Sequence, residues 1–146
     1  MRPATPKDID GLLMLEAVCF GDRQFGRDFV TWILQSPDAA TVVEDRDGIV
    51  GSVMVAFDGE ETRVLSVAVL PDWRRGGIGR ALLQAAERLA RGRGCRTIRL
   101  EVGVKNAGAI EFYERFGYKI DGVLPAYYGD GEDAYAMHRS LAEGNA

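Results

Sequence analysis

The sequence is poor in the side chains that bind metals. It contains two cysteines, Cys19 and Cys95, far apart along the chain, and a single histidine, His138. These form no metal-ligand spacing, so metal catalysis is not expected and both cysteines are read as reduced, partly buried thiols. Long apolar runs are also lacking. No stretch approaches the roughly 18 apolar residues of a membrane span, and the opening Met1-Arg-Pro-Ala-Thr-Pro6 has no apolar segment of a secretory signal. A cytoplasmic location without a membrane partner is therefore expected. Nor is there an overall excess of positive charge. The formal net charge of −4 argues against a general nucleic-acid binder. No internal repeat or low-complexity segment is visible, and only residues 142–146 read as a frayed tail. What remains, 146 residues with 47% hydrophobic content, suits one globular domain over residues 1–146, large enough to enclose a cofactor cleft.

Arginines crowd between Arg74 and Arg99, a local excess that fits a nucleotide cofactor better than a polyanionic partner. There, between an apolar stretch at residues 62–70 and an amphipathic one at residues 78–91, the chain reads Pro71-Asp-Trp-Arg-Arg-Gly-Gly-Ile-Gly-Arg80. This is a strand, a glycine-rich cationic turn and a helix start. A helix N-terminus leaves its first N–H groups without partners and directs the positive end of its dipole at the turn, which offers a site for phosphate. Gly77 and Gly79 let the backbone come close to such a phosphate, and Arg74, Arg75 and Arg80 add charge. Two familiar phosphate motifs do not match. The dinucleotide-binding turn needs a third glycine after Gly79, where Arg80-Ala81-Leu82 stand, and the kinase-type loop needs a Lys-Ser or Lys-Thr pair that is absent. A turn that uses glycine for its geometry alone is the plain alternative.

The remaining elements follow from periodicity and turn chemistry. Thr5-Pro-Lys-Asp8 reads as a helix entry, with Thr5 as N-cap, and the helix runs to about Val18. Residues 20–25 form a loop. Residues 27–35 carry Phe29, Trp32 and Ile33 at helical spacing until Ser36-Pro37 stops them. Strand signals at residues 41–43, 49–57 and 62–70, divided by Arg46-Asp-Gly48 and Asp58-Gly59, predict a three-stranded antiparallel meander. Ile78, Ala81, Leu82, Ala85 and Leu89 mark one face of a helix ending near Gly92-Arg-Gly94. Residues 97–102 are then a strand, 107–116 a helix closed by Gly117, and 118–123 and 134–138 two last strands. The order β-α-α-β-β-β-α-β-α-β-β implies an α/β (α+β) fold with a mixed, mostly antiparallel sheet and helices on both faces.

The pattern R-x-x-G-x-G from Arg74 to Gly79, with Arg80-Ala-Leu-Leu83 after it, resembles the acetyl-CoA pyrophosphate loop of the GNAT superfamily of N-acetyltransferases. The element order is also that of the GNAT fold. Leu100-Glu-Val102, Asn106, Ala109-Ile110, Phe112-Tyr113 and Phe116-Gly117-Tyr118 resemble ribosomal-protein alanine N-acetyltransferases of the RimI type. The segment Tyr127-Tyr128-Gly-Asp-Gly-Glu-Asp-Ala-Tyr-Ala-Met137 is similar to archaeal and eukaryotic Ard-type N-terminal acetyltransferases. The resemblance implies acetyl-CoA as co-substrate and the α-amine of a protein N-terminus, such as that of a ribosomal protein, as acceptor. It assigns the pantetheine edge to Val67, Ala68 and Val69, the phosphates to Arg74, Arg75, Gly76, Gly77, Ile78, Gly79 and Arg80, and a further cofactor contact to Asn106.

Acetyl transfer to an amine needs a neutral amine, a stabilised oxyanion and a proton for the leaving thiolate. An α-ammonium titrates near 7.7 to 8.0, so most of the acceptor must lose a proton before attack at neutral pH. The resemblance implies Glu101 as the base, inside an apolar strand where partial desolvation would raise a carboxyl. A solvated strand face shared with Arg99 is the other reading. Tyr113, eighth in the run Asn106-Ala-Gly-Ala-Ile-Glu-Phe-Tyr113, is the implied acid; from its helix face alone it would be a core tyrosine. Asn106 could equally be a helix N-cap. For the acceptor, relatives use the two loops that hold Phe20 and Asp22 and the pair Tyr127 and Tyr128. The tyrosines could instead pack their loop, and Asp22 could be a surface acid. Gly21-Asp22 departs from the RimI type, where a proline and a more apolar loop are usual. Two rival functions remain open: an acetyltransferase acting on an amino sugar, polyamine or amino acid, and a non-catalytic acyl-CoA-binding module. The sequence carries no signal for oligomeric state.

Overall fold

Alternation along the strands decides which side of the sheet each residue serves. In β3 (Ile49–Asp58), Val53 and Val55 turn to one face while Met54, between them, turns to the other. The first face is covered by α3 (Ile78–Gly92) and α4 (Ala107–Arg115), the second by α1 (Ile9–Phe20) and α2 (Arg27–Gln35). The computed structural model describes residues 1–141, and the tail expected at residues 142–146 lies outside the described residues. Its seven-stranded sheet has the order β1-β2-β3-β4-β5-β7-β6, formed by β1 (Arg2–Pro3), β2 (Ala39–Asp45), β3, β4 (Glu61–Val69), β5 (Thr97–Gly103), β6 (Lys119–Leu124) and β7 (Ala134–Ser140). All neighbours are antiparallel except β4 and β5, so the sheet is mixed and mostly antiparallel, as the element order implies.

The larger core lies under α3. Leu82 and Ala86 are 0% exposed and cluster with Val53, Val55 and Ile98, where each fully buried Val, Leu or Ile side chain stabilises the fold by roughly 1.5–3 kcal/mol. Tyr118, 2% exposed, donates a 2.9 Å hydrogen bond to Glu87 Oε2, and Arg139 donates to the other oxygen at 2.9 Å. This satisfied polar cluster fixes α3 to β7. The smaller core holds Leu12, Val30, Val43 and Met54.

One expectation needs correction. The first helix is preceded by a separate 3₁₀ turn, Pro6–Asp8, because Asp8 accepts the Thr5 N–H at 2.8 Å and at the same time is held by Arg2. It also runs two residues past Val18, to Phe20. In α2 the inward residues are Val30 and Ile33, whereas Phe29 and Trp32 are 36% and 59% exposed. The helix spans the expected residues, and its aromatic members belong to the outer face.

One irregularity shapes everything that follows. Leu65 of β4 has no partner in β3, because Met54 pairs with Ser66 and Val55 with Val64. Such a bulge bends its strand and increases local twist. On its other side β4 pairs with β5 over Glu61↔Thr97, Thr62↔Ile98 and Arg63↔Arg99 alone. Beyond Arg63 the two strands diverge.

Candidate active site

The divergence begins where the cationic turn points back at it. After β4 a 3₁₀ turn, Pro71–Trp73, leads through Arg74 and Arg75 to Gly77, the N-cap of α3. Gly77 has φ 87°, a left-handed conformation that side chains rarely adopt, so glycine is required there by the backbone. The first helical bond runs from Ala81 N to Gly77 O at 3.0 Å, so the N–H groups of Ile78, Gly79 and Arg80 have no acceptor within the helix. Ile78 buries its side chain and contributes only backbone to this end. Gly79 lies against Phe112, 3.5 Å from where a Cβ would sit, and has no need of glycine's conformational freedom. Arg75 and Gly76 are exposed, as is Arg80, whose guanidinium lies 5.6 Å from the Phe116 ring centre. Arg74 is turned away. Its Nε donates to Val69 O at 2.9 Å and its Nη2 lies 3.8 Å from Cys19 Sγ, so it braces the end of β4.

Val67, Ala68 and Val69 follow the bulge on the diverging part of β4, paired to β3 through Val53, Ser52 and Gly51 and unpaired on the β5 side. Ala68 is buried, and Val67 and Val69 pack against the larger core. Their side chains are core, and their backbone borders the gap.

Glu101 of β5 stands at the mouth of that gap with its side chain 8% exposed. Leu100 and Val102 turn to the larger core, so Glu101 faces the opposite side of the sheet. Its surroundings are not those of a solitary carboxylate among apolar neighbours. Arg63 Nε donates to Oε1 at 2.8 Å and Arg99 Nη1 to Oε2 at 3.0 Å. Arg99 also holds Glu61 at 2.9 Å, and Arg63 Nη2 donates to the Tyr127 hydroxyl at 2.6 Å. A carboxylate has about four lone-pair sites, and these two bonds leave acceptor capacity for a proton.

Tyr113 approaches from the other face, where α4 packs on the larger core. Its ring meets Phe112 and Tyr118 edge-on at 5.3 and 5.7 Å. Burial pushes the Tyr113 hydroxyl above the ordinary phenol range and Tyr128 acts in the same direction, so the group stays protonated. Asn106 caps α4 by accepting the Ala109 N–H at 3.2 Å, which is the N-cap role.

Arg23 joins the two loops beside this mouth. It sits in the 3₁₀ turn Gly21–Arg23 after α1, donates to Asp130 at 2.7 Å and Glu132 at 2.8 Å, and lies 3.7 Å from the Tyr128 ring centre. Tyr127 and Tyr128 contact each other at 5.1 Å, nearly perpendicular. Burial raises the Tyr128 hydroxyl, Arg23 opposes this, and Tyr127, Glu132 and Glu101 add to it. Tyr127 is linked to Glu101 through the Arg63 guanidinium that both share. Glu132 further accepts the Lys105 N–H at 3.0 Å and lies 2.6 Å from where a Cβ on Gly103 would sit. Phe20 is 36% exposed at the end of α1. Asp22 is exposed and makes no hydrogen bond among the described residues.

Residues 9–118 match the model of the acetyltransferase (GNAT) family. The chain belongs to the GNAT family. It is similar to an N-alpha-acetyltransferase of Saccharolobus solfataricus, 46% identical over 97% of this chain and 92% of that one. It is also similar to a putative ribosomal-protein bS18 alanine N-acetyltransferase of Bacillus subtilis, 30% identical over 94% and 92%. Among solved structures it resembles Ard1 of Thermoplasma volcanium, with 30% identity, 97% coverage of both chains and a TM-score of 0.87. The protein is thus an acetyl-CoA-dependent N-acetyltransferase with the GNAT fold.

As a GNAT protein it fits its co-substrate in two respects. The start of α3 supplies three outward N–H groups behind a left-handed glycine, and β4 has an edge without a strand partner. Among the described residues no three His, Cys, Asp or Glu side chains converge as a metal site, and no helix is long and apolar enough to cross a membrane. Sequence reasoning missed Arg23 and Arg63. Arg23 lies inside the loop read as acceptor-binding, and Arg63 interrupts an apolar strand on Glu101's side; those were the available signals.

Proposed function

We propose that this enzyme acetylates the α-amine of protein or peptide N-termini, a ribosomal protein being one such acceptor. The observation that carries the reading is the Arg23 tie: it joins the loop after α1 to the Tyr127-Tyr128 loop, and Tyr127 shares the Arg63 guanidinium with Glu101, so we read the two loops as the walls of the acceptor's approach. The relatives' names support the same acceptor class.

Acetyl-CoA supplies the acetyl thioester, whose C–S bond breaks as the acceptor's N–C bond forms. The N–H groups of Ile78, Gly79 and Arg80 bind phosphate, assisted by Arg75 and by the dipole of α3. Arg74 acts at one remove, fixing Val69 O so that the backbone of Val67, Ala68 and Val69 can pair with the pantetheine and offer an N–H to the thioester oxygen. Glu101 takes the proton from the acceptor nitrogen, and Arg63 and Arg99 fix its orientation. Tyr113, protonated and on the opposite face, donates toward the departing sulfur. Asn106 holds the start of α4 and offers its amide to the co-substrate. Phe20 and Asp22 on one loop, and Tyr127 and Tyr128 on the other, border the acceptor's first residues.

The test is a set of short peptides with small or methionine N-termini and internal lysines. Acetylation at the α-nitrogen, with lysines ignored, is expected, and Tyr128→Ala should raise peptide KM with a milder effect on acetyl-CoA. Robust acetylation of lysine, polyamines or amino sugars with peptides inert would overturn the acceptor class.

A further inference from the structure

Of the buried carboxyls that the mechanism does not use, Glu16 is the most enclosed. Glu16, on α1, is 1% exposed, beside Leu12 and Leu15 at 0% and 1%. Burial pushes its carboxyl above the ordinary range, against the opposing effect of its two hydrogen bonds. A carboxyl so placed is costly, and an apolar side chain of similar size would pack there without that cost. Both of its oxygens are nonetheless engaged. Ser66 Oγ bonds Oε2 at 2.6 Å, and the Phe25 N–H donates to Oε1 at 3.2 Å.

These two partners lie at meaningful places. Ser66 follows the Leu65 bulge and precedes Val67, so it sits where β4 turns from β5. Phe25 closes the loop that carries Phe20, Asp22 and Arg23, and its ring packs against Phe29 at 4.6 Å. One side chain of α1 thus reaches both the strand read as the thioester edge and the loop read as the acceptor wall. Its contacts lie behind both, in the smaller core, so Glu16 itself touches neither substrate.

We propose that Glu16 is a positioning residue: its carboxyl holds the residue 20–25 loop at a fixed spacing from β4, and that spacing sets acceptor binding. This rests on the reading of that loop as the acceptor wall. The geometry separates the tie from mere packing. Glutamine keeps an oxygen for the Phe25 N–H and can donate its amide to Ser66 Oγ, whereas leucine fills similar space and keeps neither bond.

Two measurements on the full chain decide it: amide hydrogen exchange at Phe25, and KM for an N-terminal peptide beside Kd for acetyl-CoA. Glu16→Leu should speed Phe25 exchange at least about tenfold and raise peptide KM about tenfold, with acetyl-CoA Kd within about twofold. Glu16→Gln should restore both values to near those of the wild type. Unchanged exchange at Phe25 in Glu16→Leu overturns the tie, whatever the acceptor. Equal losses for peptide and acetyl-CoA, or a Gln variant as impaired as the Leu variant, overturn it as well. The exchange arm needs no acceptor, so fast exchange with peptides inert supports the tie and refutes the acceptor class instead. Should Glu16→Leu fail to fold, Ser66→Ala removes one partner alone and is expected to speed Phe25 exchange by a smaller factor; no acceleration there overturns the tie.

Discussion

Gly79→Glu separates phosphate binding from turn geometry in a way that Gly77 cannot. At Gly77 the left-handed φ of 87° would strain any side chain, by roughly 1–2 kcal/mol, so a loss there mixes folding with binding. At Gly79 a Cβ would stand 3.5 Å from Phe112, an ordinary contact, and a carboxylate in the first turn of α3 is favoured by the helix dipole. Stability should therefore hold. Affinity should not, because the added charge shares the end of α3 with a pyrophosphate. Like charges about 4 Å apart cost about 1 kcal/mol in bulk water and about 4 kcal/mol at a protein surface. Acetyl-CoA Kd should accordingly rise between about fivefold and several hundredfold. Titration calorimetry on a variant of unchanged Tm measures this directly. An unaltered Kd would show that the glycine turn is structural and that the phosphates bind elsewhere.

Tyr113→Phe preserves the edge-on packing with Phe112 and Tyr118 and removes the hydroxyl, so kcat should fall roughly 100-fold with little change in acetyl-CoA KM; an unaltered kcat makes Tyr113 a core residue. Glu101→Gln should lose most activity near pH 7 and regain part of it near pH 9, where the α-amine is already neutral; a uniform deficit across that range assigns Glu101 to positioning. Arg2 holds the Asp8 carboxyl at about 2, below its ordinary 3.8, so the pair's stabilisation is present above about pH 4 and is lost as pH falls toward 2. The full shift corresponds to about 2 kcal/mol, which solvent around the 40% exposed Arg2 reduces to about 1 kcal/mol. Denaturation of wild type and Asp8→Asn should differ by that amount at pH 6 and converge near pH 2, and a constant difference would remove the ionic explanation.

Local signals carried the fold a long way. Glycine turns at Gly48 and Gly59 and the alternation in residues 49–57 were enough for the meander, because hairpins join neighbours in sequence. The inward face of α2 was not legible, because Phe29 and Trp32 are large and apolar yet lie outward, and periodicity does not say which of two apolar stripes meets the sheet. At the site, the glycine turn that starts α3 was legible as a unit since its residues are contiguous. Arg23 and Arg63 were not, because each acts through partners far along the chain, Asp130 and Glu132 for the first, Tyr127 and Glu101 for the second. Arg74, read as a phosphate ligand, spends its guanidinium on Val69 O, a carbonyl with no signature in sequence.

The three-residue seam between β4 and β5 has a bearing on how the sheet is assembled. The pairings β2 with β3, β3 with β4 and β6 with β7 close short loops, while β4 and β5 must meet across the whole of α3. Non-local parallel pairing costs loop-closure entropy before it returns any contact, and a ladder this short returns little. α3 adds to the join, since it packs mainly on β3 and β4 and also reaches β2 and β5. The sheet is in effect two antiparallel blocks, β1-β2-β3-β4 and β5-β7-β6, joined by three parallel residue pairs, so the gap beyond Arg63 interrupts no antiparallel ladder.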